Sequence, residues 1–424
     1  MTFEKLGDIA LVTPGTSPKG TLINSTRIGL PFFQGSKEFK ELYPAPERYT
    51  EHPVKVAKSG DVLISVRAPV GEVNIAREDC AIGRGVMSVR AKKESEQLFI
   101  FYFLKNLKGE WDSLGSTGSV FENLSTVALN NVNIPVGLNR EAIGEILFNI
   151  DKKIEANNDL SKTLEDIAQT IFKSWFIDFD PVKAKMAGEK PEGMDDATAA
   201  LFPDSMEESE LGLVPKNWNI SKLRNHLEVT KGKSYKSSEL EKSDTALVTL
   251  KSFKRGGGYR FDGLKPFSGE FKPEQIVEPG ELIVSFTDVT QAADIIGKPA
   301  IVFKNPSFAR LVASLDVGIV RPLGNAVGKH YLYQLFSTPG FKNHIDGYTN
   351  GTTVLHLGKG ALEDFTVALP GSKIMSKYEM FASTAFGKLQ ALYLENLTLQ
   401  AIRDSLLPRL ISGDLQIPED MLAS

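Results

Sequence analysis

Gly60-Asp61-Val62-Leu63-Ile64-Ser65 returns later in the chain as Gly280-Glu281-Leu282-Ile283-Val284-Ser285. Working outward, Ser88-Val89-Arg90 returns as Ile319-Val320-Arg321, and Ile134-Pro135 as Leu369-Pro370. Each half then closes with a long stretch of helical, heptad-like patterning. The order is therefore module, helix, module, helix. An internal repeat decides architecture before any local motif does. This one describes two similar domains held apart by helices, a layout suited to reading two separated sites on one extended target.

The helices carry the clearest local signal. From Glu141 to Phe176, apolar residues fall at Ile143, Leu147, Ile150, Ile154, Leu160, Leu164, Ile167, Ala168, Ile171 and Trp175, spaced by threes and fours. Met380 to Leu407 repeats the pattern with Phe381, Ala385, Leu389, Leu392, Leu399, Ile402 and Leu406. A shift of 238 residues aligns Ile154 with Leu392, Ser161 with Leu399 and Ala168 with Leu406, so the segments share a register. The expectation is an antiparallel coiled coil, with Pro408 kinking or ending the second helix near Leu407. The apolar face is wider than a two-per-heptad seam, because Leu160 and Ile167 flank one side and Phe148 and Phe172 the other. That width fits either a further partner surface or packing on the chain's own modules.

The modules read mainly as strands. Gly60 to Val66 and Gly280 to Phe286 begin at a turn residue and continue in apolar or β-branched residues, and Val86 to Val89 and Leu315 to Val320 add two more. Short helices are expected over Glu96 to Leu107 and Gly328 to Ser337. Segments 115–119 and 347–353 are expected as matching loops. The fold class is α+β: two β-rich domains separated by a pair of long antiparallel coiled-coil helices, an internal repeat of pseudo-twofold character. The boundaries are a first domain over 1–140, a central helix over 141–180, an acidic linker over 181–210, a second domain over 211–372, and a closing helix and tail over 373–424.

Composition constrains function. The 424 residues carry 42% apolar and 24% charged side chains, ordinary for a globular chain. The lone Cys80 leaves no partner for an intrachain disulfide and no thiolate cluster for zinc, as expected in a reducing compartment. The opening Met1-Thr2-Phe3-Glu4-Lys5-Leu6 lacks the basic and apolar runs of a signal peptide. No apolar run is long enough to span a membrane, so a cytoplasmic protein is expected.

A net charge of −4 would argue against a nucleic-acid partner, but it is unevenly spread. Between Glu189 and Glu210, eight acids face Lys190 alone, a net −7, which leaves +3 for the remainder of the −4 total. The negative charge sits in a proline-bearing segment that reads as a solvated connector and a poor core former.

Candidate DNA contacts follow from clustered cations. Lys251-Ser252-Phe253-Lys254-Arg255-Gly256-Gly257-Gly258-Tyr259-Arg260 places Lys251, Lys254, Arg255 and Arg260 beside aromatics, Tyr259 included, without an acid. Cations neutralise phosphate, arginine pairs with guanine edges, and glycine permits close backbone approach. The alternative is a solvated hairpin tip. Lys231-Gly232-Lys233-Ser234-Tyr235-Lys236 is a shorter cluster offering Lys231, Lys233, Tyr235 and Lys236. Its counterpart in the first module is Thr13 to Lys19, ending in the candidate Lys19, while Arg67, Arg77 and Arg84 surround the turn at Pro69-Val70-Gly71. Arg67 stands where the repeat has Thr287-Asp288, as two readers of different half-sites should differ.

Catalytic readings are weaker. Asp262 followed by Glu270-Phe271-Lys272 imitates a metal-dependent nuclease, yet Pro273 interrupts the required strand. Gly324-Asn325-Ala326-Val327-Gly328-Lys329-His330 is one residue short of a phosphate loop and lacks Ser or Thr after Lys329. His52, His226, His330, His344 and His356 have no metal-ligand spacing, so no metal is expected. Asn305-Pro306-Ser307-Phe308 lacks the second proline of an adenine-methyltransferase tetrapeptide. The remaining alternatives are a stand-alone Mg²⁺-dependent nuclease and a helical scaffold joining two protein-binding modules.

Three longer motifs carry a resemblance. Leu164-Glu165-Asp166-Ile167-Ala168-Gln169-Thr170-Ile171-Phe172-Lys173-Ser174-Trp175-Phe176 with Ile177-Asp178-Phe179-Asp180, Ser209 to Trp218, and Arg403-Asp404-Ser405-Leu406-Leu407-Pro408-Arg409-Leu410-Ile411-Ser412-Gly413-Asp414 together resemble type I restriction-modification specificity subunits. The resemblance spans essentially the whole chain. It implies a non-catalytic subunit whose two target-recognition domains each read half of a bipartite double-stranded DNA sequence. It also implies two methyltransferase subunits bringing S-adenosylmethionine and docking on the helices, and motor-nuclease subunits bringing ATP and Mg²⁺. The helix pair and docking positions are Leu147, Ile150, Ile154, Leu164, Ile171, Leu392, Leu399 and Leu406. Base-contacting residues do not carry over from such a family.

Overall fold

A computed structural model describes residues 2–108, 111, 123–290 and 292–418. The expected loop at 115–119 lies outside these residues. The chain divides into two compact units, one of residues 1–158 and 393–424, the other of 159–392. Each has a mixed α/β fold.

In the first unit, one sheet runs Ala10–Pro14, Val86–Ala91, Val62–Ser65, Val73–Ile75, all antiparallel. A second runs Tyr49–Thr50, Leu30–Phe33, Cys80–Ile82, Val56–Ala57. In the second unit, Leu227–Lys231, Val317–Pro322, Leu282–Ser285 and Pro299–Ile301 form a sheet of the same strand order. Beside it lie Lys265–Pro266, Thr245–Val248 and Arg310–Ala313.

The register explains why those residues recur. Val62 lies opposite Val89, and Leu282 opposite Val320. Gly60 and Gly280 turn the chain into the strand at φ of 84° and 88°, a left-handed conformation that penalises any Cβ. The next residue is an acid that closes the turn. Asp61 accepts the Lys58 N–H and the Arg90 guanidinium, at 2.8 and 2.6 Å. Glu281 accepts the Glu278 N–H and Arg321, at 2.8 and 2.7 Å. The pairing of Ile134-Pro135 with Leu369-Pro370 needs correction. Leu6 bonds to Val132 as Leu223 does to Phe365, so Ile134 corresponds to Val367. The two apolar-proline dipeptides are alike in composition but stand at different positions of the repeat.

The first long helix spans Arg140–Phe176, opened by the Asn139 side chain accepting the Ala142 N–H at 3.1 Å. Ile143 and Leu147 enter the first unit's core, while Ala168, Phe172 and Phe176 are buried in the second. The second long helix spans Ser372–Ser412 and runs through Pro408 instead of ending near Leu407. One missing N–H so near the C-terminus costs little against the burial of Leu407, Leu410 and Ile411 beyond the seam. In the first unit the two helices run side by side in opposite senses. Asp151 accepts Arg403 at 2.6 Å, and Asn157 donates to Asn396 at 2.8 Å.

The expected acidic linker is folded. Helices at Asp180–Met186 and Asp196–Ala199 bring Val182, Ala199 and Phe202 into the second unit's core, where Trp175 meets Phe202 edge-on at 5.2 Å. These three apolar residues fall where they can be buried, and the segment's acids stay outside. The expected loop at 347–353 contains a short strand, Thr349–Asn350, paired with Leu355–Leu357.

Candidate nucleic-acid interface

Lys254-Arg255-Gly256-Gly257-Gly258 forms a closed hairpin. Phe253 and Tyr259 pair at its base, Lys254 N–H bonds to Gly258, and Gly256 and Gly258 donate to Asp294 and Pro299 at 2.9 and 2.8 Å. Lys251, Lys254, Arg255 and Arg260 are exposed. Tyr259, expected as an aromatic contact, is instead 5% exposed and packs in the core beside Phe253. Alternation along the hairpin strands puts both rings inward and the cations outward.

The hairpin's arginines are not equivalent. Arg260 places Nε and Nη2 on the two oxygens of Asp262 at 2.6 and 2.7 Å. That bond raises the guanidinium's pKa and holds the Asp262 carboxyl below its ordinary range. The ten-residue window was free of acids, but the acid two positions on closes the fork. Glu270 is exposed, and Lys272 lies 3.9 Å from Glu274. Among the described residues, no group of three His, Cys, Asp or Glu could hold a metal ion. Lys254 reaches the field of Glu165 on the first long helix, a carboxyl whose pKa burial raises and Lys254 partly lowers.

The second cluster is dispersed by its turn. Lys231 ends a strand with Nζ 5.8 Å from the centre of the Phe286 ring. Lys233 is half-buried, 4.0 Å from Glu239. Tyr235 packs beside Phe267, with Lys265 over its ring at 5.8 Å, and Lys236 is exposed.

In the first unit, Arg77 lies 4.5 Å over Tyr43 and donates to Glu155 at 2.5 Å, so its charge is answered inside the unit. Arg67 is exposed, its backbone bridged to Asn123. Lys19 is exposed at the start of a short 3-10 turn. Arg84 is exposed at a turn whose N–H donates to Ser17 Oγ at 3.2 Å, and Ser17 bonds Gln34 at 2.8 Å. Segment 13–19 and the Arg84 turn thus converge, which their separation in sequence concealed.

The helix positions divide. Leu147, Ile154 and Leu392 are buried, at 0, 6 and 2% exposed. Leu164 and Ile171 pack against the second unit's core and Leu406 against the first, while Ile150 and Leu399 are half-buried. Leu160, Ile167 and Ile402 remain open, each more than 40% exposed. The central motif supplies aromatic packing missed from sequence: Phe172, Phe176, Tyr331 and Tyr378 meet with centroids 5.1 to 6.0 Å apart.

The family described as "Type I restriction modification DNA specificity domain" matches residues 1–166. The putative type I restriction enzyme MjaX specificity subunit of Methanocaldococcus jannaschii is 39% identical over 160 residues, 37% of either chain, so this chain covers little more than a third of that relative. The MjaIX specificity subunit of the same organism is 24% identical over 98% of this chain and 94% of its own. The S subunit of a type I restriction-modification system from M. genitalium shares the fold, with a TM-score of 0.59 at 15% identity over 97% of this chain and 96% of that one.

Proposed function

We propose that the chain is a specificity subunit of a type I restriction-modification system, the non-catalytic DNA-reading subunit of such a complex. Each unit reads one half of a bipartite target, and the two long helices form an antiparallel coiled-coil spacer between the halves of an internally repeated, pseudo-twofold chain. One observation carries this reading: a sheet of the same order and register occurs in each unit, with an acid, Asp61 or Glu281, and an arginine, Arg90 or Arg321, paired at the same turn.

Methyltransferase subunits dock on apolar helix positions left open in each unit by itself, Leu160 and Ile167 in the second and Ile402 in the first. They bring S-adenosylmethionine, and motor-nuclease subunits bring ATP and Mg²⁺, so this chain holds no cofactor of its own. The complex works in the cytoplasm. No helix among the described residues is long and apolar enough to cross a membrane.

The test is selection of duplexes from a random pool by the complex reconstituted with its methyltransferase subunits. Two short conserved blocks around a spacer of fixed length and free sequence are expected. A single block, or no sequence preference, overturns the reading. Turnover by the purified chain alone with S-adenosylmethionine, ATP and Mg²⁺ overturns its non-catalytic part.

A further inference from the structure

Both units build one turn with the same backbone bonds and place opposite chemistry at its tip. In the first unit, Gly83 N–H donates to Phe33, Val86 to Gly83, Gly15 to Val86, Thr16 to Ile82 and Val66 to Gly85, all at 2.8 to 3.0 Å. In the second, Ser314 donates to Val248, Val317 to Ser314, Gly232 to Val317, Lys233 to Ala313 and Phe286 to Asp316, at 2.7 to 3.1 Å. The five bonds correspond one to one. Gly15 and Gly232 occupy the matching cradle, where a Cβ would strike the carbonyl oxygens of Gly83 and Ser314. The residue at the tip is Arg84 in the first unit and Leu315 in the second.

Arg84 is exposed, and its guanidinium has no partner among the described residues. Leu315 is 50% exposed. Neither side chain contributes much to the fold, although the backbone beneath each is held by five hydrogen bonds. An exposed cation flanks each turn on the neighbouring segment: Lys19 in one unit, Lys236 in the other. Next to Leu315, the Asp316 carboxylate accepts the Thr287 hydroxyl at 2.5 Å, a bond within the unit. A fixed backbone with an interchangeable tip holds a side chain in register with a base edge while its chemistry selects the base. Arginine matches guanine O6 and N7 bidentately, and an apolar side chain matches the thymine C5-methyl.

We infer that the shared tip position reads different bases in the two half-sites: Arg84 a guanine in one, Leu315 a thymine methyl in the other. This rests on the DNA-reading function above.

The experiment uses the complex assembled with its methyltransferase subunits, once selection has defined its target. Replacing single thymines by deoxyuridine removes only the C5-methyl. At one position of one half-site this lowers wild-type affinity about fourfold, the worth of a buried methyl group. Leu315→Ala abolishes that difference and leaves the other half-site unchanged. Leu315→Arg shifts the same position toward guanine. Arg84→Ala lowers discrimination at one guanine of the other half-site by about 5- to 150-fold. Wild-type thymine against deoxyuridine discrimination in Leu315→Ala, or unaltered base selection in Arg84→Ala, overturns the inference. A complex that selects no sequence overturns the DNA-reading function, and this inference with it.

Discussion

Asn157 Nδ2 donates to Asn396 Oδ1 at 2.8 Å in the buried seam between the two long helices. The Asn396 amide in turn donates to Asn158 at 2.9 Å, and Asn157 also reaches Glu395 at 3.0 Å. Asn158 and Asn396 are separated by the internal shift of 238 residues that aligns the helices, so here the equivalent residue is also the facing one. A buried polar contact between helices favours a single register, because sliding by one turn leaves amides unpaired in an apolar seam.

Asn396→Ala removes the acceptor of Asn157 and the donor to Asn158 together. A loss of about 1–3 kcal/mol is expected, read from the urea unfolding midpoint. An unchanged midpoint would show that the amides hydrogen-bond equally well elsewhere.

The seam also specifies how to lengthen the helices without breaking them. Asp151 with Arg403 lies on one side of Ile154 and Leu399, and Asn157 with Asn396 on the other. Seven residues inserted after Ile154 and after Leu399 therefore preserve both contacts and the heptad, and add about 10.5 Å. Sites selected by the variant complex should gain roughly three base pairs of spacer, at about 3.4 Å each. Affinity should fall as well, because those pairs rotate one half-site about the duplex. A folded, DNA-binding variant with the original spacer would refute the helices as the ruler.

At the glycine hairpin, the geometry separates the cations. Lys254→Ala should weaken binding to all sequences and lower the salt slope by about 1, as loss of a phosphate contact does. Arg255→Ala should cost about 1–3 kcal/mol and relax one base position. Arg260→Ala should leave base selection unchanged, since Asp262 already occupies its fork. Equal effects for the two arginines in salt titrations and site selection would contradict this division.

Glu165 carries a pH dependence. Burial raises its pKa above the ordinary 4.5, with Lys254 opposing and Asp166 adding to the rise. A carboxyl that binds its proton more tightly in the fold contributes stability fully below pH 4.5, and loses it as pH climbs through the folded value. Glu165→Gln, which imitates the protonated form, should raise the unfolding midpoint at pH 7 and lose this advantage toward pH 4. An advantage that grew on acidification would mean that the carboxylate is stabilised in the fold.

Sequence alone determined the elements whose signal is local or repeated. Heptad spacing marked both long helices, and Gly60-Asp61 and Gly280-Glu281 marked the same turn twice, because a left-handed glycine and a capping acid are needed wherever that turn occurs. Composition alone misjudged the acidic segment, since Val182 and Phe202 count by where they land and not by their number. Tertiary structure decided which cations are available. Arg260, Arg77 and Lys233 meet acids, Asp262, Glu155 and Glu239, that lie 2, 78 and 6 residues away in sequence. It also brought segment 13–19 against the Arg84 turn, and 231–236 against Leu315, through bonds between distant strands. A charge is legible in a sequence, but its partner is set by the fold that brings the two together.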